Sequence, residues 1–478
     1  MAQPYKTPGV YIEEIPKFPP SIAPVETAIP AFIGYTQKAQ RQDPDDLLLK
    51  PLRIASLIEY EQYFGAAQPE SKITISIDET TANGATKSLA FKATLAEADR
   101  SKHIMYYALQ MFFANGGGPC YIVSVGTFKT LGGALVQSEL KAGLDAIEKV
   151  DEPTLILFPE AQNLALISDF ATLQNLALAQ CQKLKDRFVI MDVHGDDLSL
   201  SSADTNLTEA IKNFRDTGVG NDNLKYGAAY APNLETVLDF TFDESTTKVT
   251  YVKDGTSSDL GNLKGLVASN SFFYENAKSA IIDMPCTLPP SAAMAGIYAA
   301  VDNDRGVWKA PANVGIIGVI RPAIEFSNTE QDGMNVDETA GKSVNAIRPF
   351  IGKGTLVWGA RTLAGNDNEW RYINVRRLFI FVEESAKKAT ERFMFEPNDA
   401  NTWVRVQGMC ENFLTVIWRQ GALQGVKPEH AFYVSVGLGK TMTALDILEG
   451  RMIVEIGMAA VRPAEFIVLR FSHKMAES

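Results

Sequence analysis

The chain has 478 residues, room for roughly three domains at about 150 residues each, and 46% of them are hydrophobic, enough for an ordinary core without disulfides or metals. Lys+Arg 45 against Asp+Glu 57 gives a net charge of -12, which argues against a nucleic-acid binder relying on bulk positive charge but leaves a local basic patch open. Cys120, Cys181, Cys286 and Cys410 form no CxxC unit, the opening residues show no secretory leader, and no apolar run reaches about 18 residues, so zinc knuckles, export by that route and a membrane-spanning helix are not expected.

In chain order, Pro4, Pro8, Pro16, Pro19, Pro20, Pro24 and Pro30 forbid a long helix at the start, and Gly9 to Ile15 between them reads as an isolated strand. Such a strand either returns to its own sheet or is given to another chain. Ala31 to Tyr35 reads as the first core strand, and Pro51 to Phe64 as a loop and short helix. Lys72 to Ala93, rich in Ile and Thr around Asn83-Gly84, predicts a hairpin insertion. Lys102 to Phe113 is helical and stops at Asn115-Gly116-Gly117-Gly118-Pro119.

Strands and helices then alternate. Apolar strands are expected at Cys120 to Val125, Thr154 to Phe158, Arg187 to Val193 and Tyr226 to Tyr230, with helices at Leu140 to Val150, Leu164 to Leu184 and Leu207 to Phe214. Continuous apolar strands joined by helices are covered on both faces, which predicts a multidomain α/β protein with a mostly parallel sheet. Phe240 to Leu263 breaks the pattern as a second small excursion. Ala280 to Met284 reads as a further strand, and Pro289-Pro290-Ser291 opens a helix over Ala292 to Val301. The last third predicts helices at Glu383 to Phe395 and Thr402 to Gln420, then strands at Met452 to Met458 and Phe466 to Phe471. The expected division is an N-terminal arm 1–30, an α/β core 31–64 and 101–345, a β-rich insertion 65–100, the excursion 240–263, an α+β domain 346–460 and a C-terminal arm 461–478.

Few motifs carry chemistry. Gly439-Lys440-Thr441 and Gly341-Lys342-Ser343 end like phosphate-binding loops, but the required earlier glycine is replaced by Val434 and Val336. His103, His194, His430 and His473 have no ligand partner at i+3 or i+4. Asp192, His194 and Asp196 follow a predicted parallel strand, where α/β enzymes place their groups, so an α/β enzyme is the less favoured alternative; no GxSxG elbow accompanies them. Asp302-Asn303-Asp304-Arg305-Gly306 lacks the ligand run of a calcium loop and reads as a helix end. Arg361, Arg371, Arg376 and Arg377 among Trp358, Trp370 and Tyr372 suit nucleic acid or, in an acidic chain, a protein interface. Lys387, Lys388 and Arg392 fall on one predicted helix, as a solvated face or a dock for an acidic partner.

Several segments together resemble the contractile tail sheath family of phage tails and phage-tail-like extracellular contractile injection systems. They are Pro8-Gly9-Val10-Tyr11-Ile12-Glu13-Glu14, Pro289-Pro290-Ser291 to Ala295-Gly296, Asp302 and Arg305 to Asn313. Asn345 to Arg348, Trp358 to Thr362, Trp370 to Arg377, Glu396-Pro397-Asn398, Trp403, Gly421 to Leu423 and Arg462 to Phe466 continue the likeness in family order. The resemblance implies a non-enzymatic structural subunit, without cofactor or metal, that polymerises as stacked hexameric rings around an inner tube and contracts. It implies chain ends that donate strands to neighbouring subunits, here Val10, Tyr11, Ile12, Glu13 and Ile15, and Phe466, Ile467, Val468 and Leu469. It implies a tube-facing helix, matched by position to Lys387, Lys388 and Arg392. Expected partners are other copies, the inner tube protein, baseplate and terminator or cap proteins, and sheath paralogues where present, with no nucleic acid and no membrane insertion. The expected setting is synthesis in a bacterial cytoplasm and assembly into a tail or a released tail-like particle. A baseplate or cap component of the same particle is the structural alternative.

Overall fold

A computed structural model describes residues 21–83, 85–131, 133–195, 203–466 and 468–470. The strand expected at Gly9 to Ile15 lies outside the described residues. By contacts the chain divides into a larger unit, residues 25–384 with 462–478, and a smaller one, residues 1–24 with 385–461.

In the larger unit the chain runs through β1 (Pro30–Thr36), β2 (Leu52–Ile54), α1 (Leu57–Phe64), β3 (Thr74–Ala82), β4 (Ala85–Thr94), α2 (Met105–Ala114), β5 (Cys120–Thr127) and α3 (Gln137–Ile147). It continues through β6 (Leu155–Leu157), α4 (Ile167–Leu184), β7 (Phe188–Asp192), α5 (Ala203–Asn213), β8 (Gly227–Ala231), β9 (Leu234–Thr236), β10 (Lys248–Lys253) and β11 (Thr256–Asn262). Then come α6 (Leu263–Ser269), α7 (Ser271–Ile282), β12 (Cys286–Leu288), α8 (Ser291–Arg305), β13 (Val314–Gly315), β14 (Val319–Pro322), α9 (Asn328–Asn335), β15 (Val344–Phe350) and β16 (Gly354–Val357).

The main sheet has the order β13-β16-β15-β8-β7-β6-β1-β5-β2. Its six central strands, β15 to β5, are parallel, and antiparallel strands close both sides. The strands β1, β6, β7 and β8 are buried along their whole length, because the α2–α8 and α3–α4 helix pairs lie on the sheet. This is the α/β layer that the apolar runs predict.

The two sequence excursions meet. β10 pairs in parallel with β3, from Lys248 opposite Thr74 to Lys253 opposite Glu79, so the order β11-β10-β3-β4 joins segments that are distant in sequence. Ile73, Ile75, Ile77, Val249, Leu263, Leu266, Ala277 and Ile281 form a separate small core there. Ala280 to Met284 is not a strand: Ala280 to Ile282 end α7, and the strand expected there is β12. Three consecutive apolar residues fit either period, and the preceding turns of α7 decide it.

Helix α10 (Ile373–Thr390) spans the division between the units. The smaller unit holds its last residues, α11 (Ala400–Arg419), α12 (Pro428–Ala431), β17 (Phe432–Val436), α13 (Ala444–Leu448) and β18 (Val454–Met458). One apolar side of α11, with Val406, Met409, Cys410, Phe413, Leu414 and Ile417, is buried. Phe466 and residues 468–470 form no strand within this chain, against expectation. A strand needs a partner for its backbone groups, and none of the described residues pairs with them.

Candidate functional site

The predicted chemical residues are largely internal struts. Asp192 is fully buried at the end of β7, where its Oδ1 accepts the Ser291 N–H at 2.8 Å and its Oδ2 lies 2.6 Å from Ser291 Oγ. It thus caps the first turn of α8 from outside the helix. Burial pushes its carboxyl up to about 7, against the opposing pull of the Ser291 bonds. His194 bonds the Leu164 carbonyl through Nε2 at 2.9 Å, and Asp196 lies outside the described residues. A cavity of about 490 Å³ opens beyond the ends of the parallel strands, lined in part by His103, Gln162, His194 and Asn233. Gln162 and Asn233 bond each other, and His103 Nε2 accepts the Lys129 N–H at 2.9 Å, so these polar groups serve the scaffold.

Neither lysine of the glycine-containing strings is placed for a phosphate. Lys342 is buried, with Nζ donating to the carbonyls of Arg215 and Val219 at 2.5 and 2.8 Å. Gly437 to Thr441 forms a tight turn after β17 in which Gly437 O accepts N–H groups of Lys440, Thr441 and Met442. Among the described residues no group of three His, Cys, Asp or Glu could hold a metal ion, and no helix is long and apolar enough to cross a membrane.

Three arginines of the arginine–aromatic cluster, Arg361, Arg376 and Arg377, are interior, while Trp358 is exposed. Arg376 is buried, pairs with Glu383 at 2.7 Å, and lies over Tyr226 and Trp370 at 4.9 and 4.5 Å from the ring centroids. Arg377 holds Asp302 with two bonds of 2.5 and 3.0 Å and lies 4.5 Å over the Tyr298 ring. Only Arg371 of the four stays outside, bonded to neighbouring Asn368. The expectation from Arg, Trp and Tyr in proximity, nucleic acid or a protein interface, does not hold for Arg377 and Arg361, whose acidic partners 75 and 104 residues away make them structural.

The larger unit holds the chain by buried ion pairs near Thr27 and at Glu465. At the N-terminal side, Arg377 Nη2 donates to the Thr27 carbonyl at 2.9 Å, and Thr27 Oγ1 donates to Asp302 at 2.6 Å. At the C-terminal side, Glu465 accepts from Arg361 Nη2 at 2.6 Å, Arg361 Nε at 2.9 Å, Asn335 Nδ2 at 2.7 Å and Tyr372 OH at 3.2 Å. These donors hold its carboxyl below the usual range although burial opposes them. Immediately beyond, Phe466, Val468 and Leu469 are 71–73% exposed, and Ile467 lies outside the described residues. Val10, Tyr11, Ile12, Glu13 and Ile15 also lie outside them.

In the smaller unit β17 and β18 form a two-stranded antiparallel sheet, Phe432 opposite Met458 through Val436 opposite Val454. Among the described residues no third strand joins it. Val434 and Val436 are buried, and just past β18 the chain is bridged by Leu423 opposite Ala460. Lys387 and Lys388 lie in the last turn of α10. Arg392 is not on that helix: it sits in the following turn, Glu391–Phe393, with its Nη2 on Met409 Sδ at 2.7 Å. The three cations therefore do not share one helix face.

Comparison with known proteins bears on these elements. Residues 365–474 match the family model described as the phage tail sheath C-terminal domain. The chain is 29% identical over 144 residues to the tail sheath protein of Burkholderia phage BcepMu, and 29% over 118 residues to that of Enterobacteria phage T4. These stretches cover 29% and 24% of this chain, and only 30% and 17% of the two phage proteins. Solved structures align end to end. A chain of the anti-feeding prophage (AFP) baseplate is 31% identical with a TM-score of 0.62, over 98% of this chain and 100% of that one. A chain of the PVC sheath complex of an extracellular contractile injection system, in its contracted state, is 29% identical with a TM-score of 0.63, over 99% of both. With full-length likeness at this identity, and motifs that fall on the clamps and caps just described, the chain belongs to the tail sheath family of contractile phage tails and phage-tail-like injection systems.

Proposed function

We propose that this chain is the repeating subunit of a contractile sheath, stacked as six-membered rings around an inner tube and shortening to drive that tube through a target envelope. The carrying observation is the β17–β18 sheet, an ordered pair that no third strand joins among the described residues, in a chain that also exposes apolar side chains beyond Glu465. Isolated two-stranded sheets are marginal in water, and added strands bring both backbone bonds and alternate side-chain contacts. We assign residues 10–15 and 466–469 of neighbouring copies to the edges of that sheet. Strands shared between subunits keep rigid bodies linked while the bodies rotate, and a heterologous contact that does not close on itself builds a helical array. Contraction then draws on interfaces completed in the shortened state, and no nucleotide is consumed.

The inner tube, a baseplate and a cap are the partners of this reading, and a particle assembled in a bacterial cytoplasm is its setting. Deleting residues 1–20 tests it. The truncated protein is expected to fold with an unchanged far-UV spectrum yet fail to form ribbed tubes under negative stain; tubes identical to those of the full chain refute arm donation. The second reading, a baseplate component, is favoured by the likeness to a chain of the AFP baseplate. It predicts that the full-length protein alone forms rings or short stacks and never long tubes.

A further inference from the structure

We infer that Glu465 is the mechanical root of the C-terminal arm, fixing the arm to the larger unit so that tension on it bypasses the smaller unit that carries β17 and β18. This rests on the proposed donation of residues 466–469.

The chain leaves the larger unit within α10 and returns to it at Arg462. Within a few residues of that return, one carboxylate collects five hydrogen bonds from three side chains on separate segments: Arg361, Asn335 at the end of α9, and Tyr372 before α10. Arg361 is itself tied down, donating to the carbonyl of Gly365 at 3.4 Å, while its own N–H and carbonyl are held by Asn345. The Arg361 side chain is 5% exposed and that of Glu465 19%, so the pair is little screened by water. One residue later the exposure rises to 71% at Phe466. Among the described residues, Glu465 is the last to make a side-chain hydrogen bond before the exposed apolar side chains. Without it, a pull on residues 466–469 would be carried back through Val461, whose N–H bonds Ala422, and into the β18 continuation at Ala459 and Ala460. That would load the sheet that accepts a neighbour's strand.

The N-terminal side repeats the design with different residues, Arg377 and Asp302 gripping Thr27. Arg361 and Arg377 lie on one short stretch of chain, which thus supplies an arginine to each clamp.

The test uses the full-length chain and three variants: Glu465→Gln, a deletion of residues 466–478, and the pair Asn335→Cys with Glu465→Cys. Glu465→Gln keeps the side-chain shape but removes the charge that makes the Arg361 bonds strong, so within assembled tubes, where a neighbour would protect the donated strand, amide exchange at residues 466–470 is expected to rise at least about tenfold. Exchange in the main sheet should stay unchanged. Tubes of this variant should fall apart at lower urea than those of the parent, although the subunit's own unfolding midpoint stays close to the parent's. The four native cysteines are buried, so a short bis-maleimide is expected to join only the two introduced thiols. Linking them should restore tube stability without restoring the charge, a rescue that a purely local stabilising role does not give. If the deletion leaves tubes intact, the arm-donation reading itself fails. If the deletion abolishes tubes while Glu465→Gln tubes match the parent in urea, or if cross-linking rescues nothing, the root assignment is overturned and donation stands.

Discussion

Two residues show how polar groups hold this fold. Asp192 has an ordinary carboxyl value near 4 in the unfolded chain and about 7 in the fold, because burial disfavours its charge. Between those values the native state keeps a proton that the unfolded chain has released. Its contribution is therefore fully present below about pH 4 and is lost as pH rises toward 7, at up to roughly 1.4 kcal/mol per pH unit. Asp192→Asn cannot ionise, so its urea stability relative to the parent should improve steadily from pH 4.5 to pH 7.5; a constant difference would show that Asp192 does not titrate in this range. Asp302, by contrast, has a cation beside it: Arg377 pairs with it, with side chains 5% and 3% exposed. Arg377→Ala strands the Asp302 charge and should cost about 3–5 kcal/mol of unfolding free energy. Arg377→Lys should recover only part, since an ammonium cannot reproduce the two parallel bonds and the stacking on Tyr298.

Among the elements, the packing of α8 on α2 explains a glycine in the family-like segment Ala295-Gly296. A Cβ on Gly296 would stand 2.5 Å from the Phe112 carbonyl oxygen and 2.9 Å from Asn115 Cβ. Gly296→Ala must push the helices apart, and a loss of about 1–3 kcal/mol in a chemical melt is expected, with Gly296→Val worse. The close approach also serves Asn115, whose side chain bonds both the N–H and the carbonyl of Ile317. The sequence carries the alternation of buried strands and helices openly, because a strand such as Phe188–Asp192 is apolar on both faces and long enough to betray its period. It could not give the union of β3 with β10, since parallel pairing across more than 150 residues leaves no periodic mark on either segment. Nor could it separate Arg361 and Arg377 from a surface patch. Burial of a long cation depends on a carboxylate brought by topology, and here those carboxylates are Glu465 and Asp302. The family-like motifs were visible as strings of residues; their physical reasons, a helix cap, a close crossing and two clamps, needed the fold.

At the scale of the whole molecule the proposed tube contact meets a competing local explanation. Lys387 and Lys388 close the last turn of α10, where cations offset the negative end of the helix dipole regardless of any partner. Arg392, beyond the helix, rests on Met409 and lies 5.5 Å over the Phe393 ring, so its alkyl chain packs within its own unit. The two roles separate by salt and by partner. Reversing Lys387 and Lys388 to Glu should lower retention of the inner tube by assembled sheath several-fold at low salt, and the gap to the parent should narrow as added salt screens both. A helix-end role alone would instead lower the subunit's melting temperature and leave tube retention equal at every salt concentration. Arg392→Glu added to the pair is expected to weaken the subunit itself, because it removes packing on Met409, and to add little to the loss of tube. If the double reversal leaves both retention and its salt dependence unchanged, the tube-facing surface of this chain lies elsewhere than the end of α10.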